Sequence, residues 1–115
     1  MRPFYRRWAD RRLASHRSAR QFIQFLHTPA ARPLLHDGLV WLHESVDRRG
    51  KVWTDRGTIE DLASLLEFCW RKDESAFREQ TPAAMAFREL LRKLADLQLP
   101  LALELLDRLS ARQRG

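Results

Sequence analysis

One cysteine, five prolines and four glycines in 115 residues each close off a class of answer. The lone thiol, Cys69, has no partner for an intrachain disulfide, which excludes a disulfide-stapled scaffold. So few prolines and glycines favour long regular elements over a loop-rich scaffold. No apolar run approaches the roughly 18 residues that cross a bilayer. Met1 is followed by Arg and aromatic residues, not by the continuous apolar core of a secretory signal. No alternation of apolar and polar residues is long enough to demand a strand. These absences point to an all-α domain with a cytoplasmic location. Catalytic signatures are missing too. There is no glycine-rich phosphate loop, no nucleophile elbow, and no Cys-x-x-Cys or His-x-x-x-His pair. The expectation is a chain without enzymatic activity, metal or cofactor.

What is present supports a single helical domain over residues 1–115. Hydrophobic residues make up 44% and charged residues 31%, enough for a core inside a solvated surface and too apolar for general disorder. The net charge is +6, and its distribution says more than its total. Residues 1–32 hold eight arginines against one acid, Asp10, whereas residues 33–115 hold thirteen basic and fourteen acidic residues. The whole excess therefore lies in the first quarter of the chain. Eighteen of the twenty-one basic residues are arginine, the better bidentate phosphate ligand. Codon bias in a GC-rich genome explains that ratio but not the clustering.

Residues 1–28 read as a basic amphipathic leading helix. Phe4, Tyr5, Trp8, Ser15, Ala19, Phe22, Ile23 and Leu26 share one face at 3.6 residues per turn, and Arg2, Arg6, Arg17 and Arg20 share the other. Thr28-Pro29 and Pro33 break it. A second helix is expected from near Pro33 to Arg48, with Leu35, Leu39, Leu42 and Val46 as its stripe. A third follows from Ile59 to Arg71, opened by a capping box of Thr58 and Asp61, and buries Ile59, Leu62, Leu66 and Cys69. Asp73 to Gln80 fits either a short helix or a turn. Thr81-Pro82 is an N-cap followed by proline at the first helical position. It opens a fourth helix with Met85, Ala86, Leu90, Leu94 and Leu97 along one side. A last helix runs from Leu101 to Arg112 with Ala102, Leu105, Leu106 and Leu109 inward. The sum is a four- to five-helix bundle, or two helical hairpins after a long N-terminal helix. Thr28-Pro29-Ala30-Ala31 echoes Thr81-Pro82-Ala83-Ala84, which makes a HEAT-like solenoid fragment the alternative.

Two features mark candidate binding residues. The first is the stripe Arg6, Arg17 and Arg20, which spans about 21 Å of helix and suits a row of phosphates or an acidic protein surface. The second is the loop between the second and third helices, where Arg48, Arg49, Lys51 and Arg56 surround Trp53. Such a loop stacks a base, inserts its tryptophan into a protein partner, or folds Trp53 back as its own anchor. A membrane is not expected as partner, because Ser15 and Ala19 in the middle of the apolar face suit helix packing better than acyl chains. His27, His36, His43 and Cys69 carry no metal-ligand spacing; His36 and His43 lie about 10 Å apart along a helix. Cys69 falls on an apolar face, where a thiol is inert.

Arg11–His16 and Arg20–His27 have the Arg-to-His spacing of the all-α HEPN ribonucleases. Arg11 and His16 would point about 140° apart on one continuous helix, and in that family the motif belongs to a later helix. No kinship is assigned, and ribonuclease chemistry stays a remote alternative. The favoured reading is a non-catalytic helical interaction module, or a subunit of a larger assembly, with a protein partner. The runner-up is RNA or DNA binding through the arginine stripe and the Trp53 loop. Self-association into a homo-oligomer stays open.

Overall fold

A computed structural model describes residues 16–48 and 53–114, with side chains described for 19–46 and 53–110. Five α-helices occur among them: α1 (His16–Leu26), α2 (Leu35–Arg48), α3 (Arg56–Lys72), α4 (Pro82–Asp96) and α5 (Pro100–Arg114). Short 3-10 turns occur at Pro29–Leu34 and Ser75–Arg78, with further 3-10 conformation at residues 53–54, and no strand appears among the described residues. The protein is an all-α helical bundle.

The apolar periodicity settles which faces turn inward. Ala19, Phe22, Ile23 and Leu26 of α1 are buried, as are Leu35, Leu39, Leu42 and Val46 of α2. Leu62, Leu66 and Cys69 of α3, and Ala102, Leu105 and Leu109 of α5, join the same continuous core. On α4 the inward face is Ala86, Phe87, Leu90, Leu91 and Leu94. Met85 and Leu97, expected on that face, are instead 51% and 43% exposed. Met85 lies about 140° and 180° around the helix from Leu90 and Leu94, on the outward side, and Leu97 caps the helix beyond its last residue, Asp96.

Two of the three closest helix pairs are not consecutive. The main interfaces are α2 with α4, α1 with α3, and α4 with α5, while α1 and α2 touch only lightly. Helices two apart in the chain, α1 with α3 and α2 with α4, pack more closely than the consecutive pairs α1–α2 and α3–α4. Along the α1–α3 interface, Arg20 reaches Asp61 and His27 meets Phe68, so the two helices run in the same direction.

Local chemistry fixes the ends. Thr81 caps α4, its hydroxyl accepting from the Ala84 N–H at 3.1 Å, with Pro82 next in line. The start of α3 differs from the sequence expectation. Its N-cap is Asp55, whose carboxylate accepts from the Thr58 N–H at 3.2 Å and also from the Thr58 hydroxyl. Thr58 therefore lies inside the first turn, fully buried, and the helix starts three residues earlier than Ile59. Asp55 outcompetes Thr58 because a carboxylate is the stronger acceptor for the orphan N–H groups. Asp61 is then free for a tertiary role.

At the other end of α4, Gln98 takes the left-handed conformation with φ 64°. Gln98 N–H donates to the Ala95 carbonyl and Leu99 N–H to that of Leu94, the paired bonds of a Schellman turn usually built on glycine. It starts α5 at Pro100. Between α3 and α4, Arg88 donates to the carbonyls of Phe77 and Glu79, both at 2.9 Å. Arg78 donates to the Leu109 carbonyl at 3.1 Å while its guanidinium lies 4.9 Å from the centre of the Trp70 ring. Arg88 satisfies carbonyls outside the α-helix ladders, and Arg78 ties the second 3-10 turn to α5.

Candidate functional site

Of the eight residues the sequence marks for binding, Arg6, Arg49 and Lys51 lie outside the described residues, and the side chains of Arg17 and Arg48 do too. Arg20, Trp53 and Arg56 are described, and the start of α3 draws two of them together. Arg20 projects from α1 across that helix start. A Cβ built on Gly57 would stand 2.6 Å from the Arg20 Nη1 atom, so the guanidinium occupies the space a side chain at 57 would fill. Its Nε donates to Asp61 at 2.7 Å, and the Gln24 amide donates to the same oxygen at 3.1 Å.

The electrostatics of this junction differ from those of an open cationic stripe. The hydrogen bond and the charge of Asp61 raise the Arg20 pKa above its ordinary value, with smaller contributions from Asp55 and Glu60. Arg56, almost fully exposed, sits 3.4 Å from Glu60 on the next turn. Two cations thus meet three carboxylates. Arg20 remains 46% exposed, so a partner can still reach it, in competition with Asp61.

Trp53 is half-buried and packs against the core. Its indole Nε1 is shut off from solvent and has no hydrogen-bond partner. The ring therefore folds back as the anchor of its segment, the third of the three roles its sequence allows. An indole N–H enclosed in this way is a cost that the ring's apolar contacts must outweigh.

The remaining chemistry-bearing groups are dispersed. The His27 ring lies 5.5 Å from Phe68, and the His36 ring 5.4 Å from Phe77. Burial pushes the Cys69 thiol up to about 12, so it stays protonated and unreactive at neutral pH. No three His, Cys, Asp or Glu side chains converge among the described residues. Arg20 and His27, the described pair with ribonuclease-like spacing, point to Asp61 and Phe68 respectively. No protein-family model, curated protein or solved structure matches this chain.

The structure also gathers cations that the sequence does not single out. Arg32 lies in the 3-10 turn after α1 and Lys72 at the end of α3, 40 positions apart, and both line one cleft. The only local hint is Phe68 four residues before Lys72 on one helix face.

Proposed function

We propose that this chain is a non-catalytic helical interaction module whose basic N-terminal quarter docks on an acidic protein surface. The observation that carries this reading is the charge segregation. Eight arginines against one aspartate occupy residues 1–32, while the rest of the chain is nearly balanced. Pairing in the bundle sharpens the contrast. Beyond residue 33 every arginine with a described side chain has a partner. Arg56, Arg71, Arg92 and Arg108 pair with glutamates one turn away, and Arg78 and Arg88 bind carbonyls. The bundle consumes its own positive charge, and the excess is left to the leading segment.

Two details favour protein over nucleic acid as the partner. Arg20, one of three stripe cations, already shares its charge with a carboxylate, as it would in an acidic protein interface. Trp53, the only tryptophan of the arginine-rich loop, packs against the core and leaves only part of its ring open for stacking a base. Among the described residues no helix is long and apolar enough to cross a membrane. Phe22, a member of the amphipathic face, is fully buried among the helices.

The test is affinity capture from nuclease-treated cell extract, with the wild-type chain beside an Arg6→Gln, Arg17→Gln, Arg20→Gln triple variant. A protein retained by the first and lost by the second is the expected result. Retention that disappears on nuclease treatment would move the assignment to RNA or DNA binding.

A further inference from the structure

The ends of α1 and α3 and the 3-10 turn that follows α1 enclose a cleft of about 160 Å³. Leu26, Pro29, Leu35 and Phe68 supply its apolar lining, and His27, Arg32 and Lys72 supply the polar heads; none of the lining residues is acidic. Cations at helix C-termini offset the partial negative charge of the last carbonyls. That accounts for Lys72, in the last turn of α3. It does not account for Arg32, which lies within the 3-10 turn. Arg32 is also exposed, and it is the one arginine among the described side chains with neither an ion pair nor a hydrogen bond. In a bundle that pairs its other described arginines, the exception stands beside an apolar hole.

We infer that this cleft receives one apolar side chain of an acidic peptide segment, whose flanking carboxylates meet Arg32 and Lys72. The inference rests on the protein-docking reading above and names the chemistry of the partner. Volume decides against a free cofactor or nucleotide. Small-molecule sites run from about 300 Å³ upward, whereas a cavity of about 150 Å³ holds a single benzene. One leucine- or phenylalanine-sized group fills this space. The ring geometry decides against a nucleobase. The Lys72 Nζ lies 5.3 Å from the Phe68 ring centre and the His27 ring 5.5 Å from it, so the aromatic floor is already engaged. Thr28, the hydroxyl at the rim, donates to the Phe25 carbonyl at 2.7 Å and is not free to donate to a base edge. What stays open is aliphatic surface below and positive charge above.

The experiment uses the full, ¹⁵N-labelled chain and a short synthetic peptide with one leucine flanked on both sides by glutamates. Amide signals of Arg32, Leu35, Phe68 and Lys72 are expected to shift on titration. Serine in place of the leucine should weaken binding about tenfold or more, the scale of burying one such side chain. Arg32→Glu and Lys72→Glu, both at exposed positions, should each weaken binding while leaving the rest of the spectrum unchanged. An oligothymidylate of similar charge should leave the cleft signals in place. The proposal is overturned if these signals stay still at millimolar peptide, if the serine peptide binds equally well, or if the oligonucleotide shifts them more. A still cleft, with the capture of an arginine-dependent protein intact, removes the cleft and leaves the docking reading standing. Loss of both removes the two together.

Discussion

Helix α1 is approached closely at two glycines, and the two approaches use opposite chemistry. At Gly38 of α2, a Cβ would stand 2.7 Å from Cδ2 of Leu26, a side chain 1% exposed. At Gly57 of α3, the same construction meets the tip of Arg20, which is 46% exposed. The first crossing is dry, and the atoms that would have to move belong to the core. The second is wet, and the atom that would have to move ends a flexible side chain with solvent beside it. The same residue type therefore does two jobs. Gly38 is required by packing, whereas Gly57 makes room for a charged tie that the fold can lose. On α1 the apolar stripe holds the helix in the bundle, while Arg20 makes an exposed tie to Asp61 for which solvent and any partner compete.

Substitutions at the two glycines and at the neighbouring tryptophan test that division. Gly38→Ala should destabilise by about 1–3 kcal/mol, the usual cost of overpacking a closed core. A denaturant melt giving no loss would mean that Leu26 yields easily and the crossing is not tight. Trp53→Ala should cost about 1–3 kcal/mol, below the toll of truncating a fully buried aromatic, because only part of the ring is covered. A negligible loss would return Trp53 to the surface as a binding tip. Gly57→Ala is expected to have the smallest effect, from no change to a gain of up to about 1 kcal/mol from better helix propensity. Arg20 should swing off Asp61, seen as a shift of the Arg20 Nε–H signal toward that of a free guanidinium. A large loss of stability there would show that the Arg20–Asp61 pair holds α1 in place.

The contrast also shows which features were legible in the sequence. The buried stripes of α1, α2, α3 and α5 follow from 3.6-residue periodicity, and the α4 cap follows from Thr81-Pro82. These are local patterns written in consecutive residues. The α3 start differs because Asp55 and Thr58 are both capping residues three positions apart, and the stronger acceptor, the Asp55 carboxylate, takes the role. Met85 is exposed because it points away from Leu90 and Leu94 at about 100° per residue, which the periodicity itself dictates, whereas the exposure of Leu97 depends on the helix ending at Asp96. For the expected binding residues, the sequence does not show which groups they meet in the fold. Arg20 lies 41 positions from Asp61, and no local pattern links them. The Arg32–Lys72 cleft was invisible for the same reason, since it is made only when α1 and α3 pack side by side.

The most direct test of the central claim is fluorescence anisotropy of labelled single-stranded and duplex RNA and DNA with the full chain, titrated over a range of salt. A face built to dock on protein should give no micromolar binding at physiological salt. Micromolar or tighter binding whose logarithm falls with log salt at a slope of roughly −3 would contradict it. That slope corresponds to three phosphates neutralised at about −0.9 each, one for each of Arg6, Arg17 and Arg20.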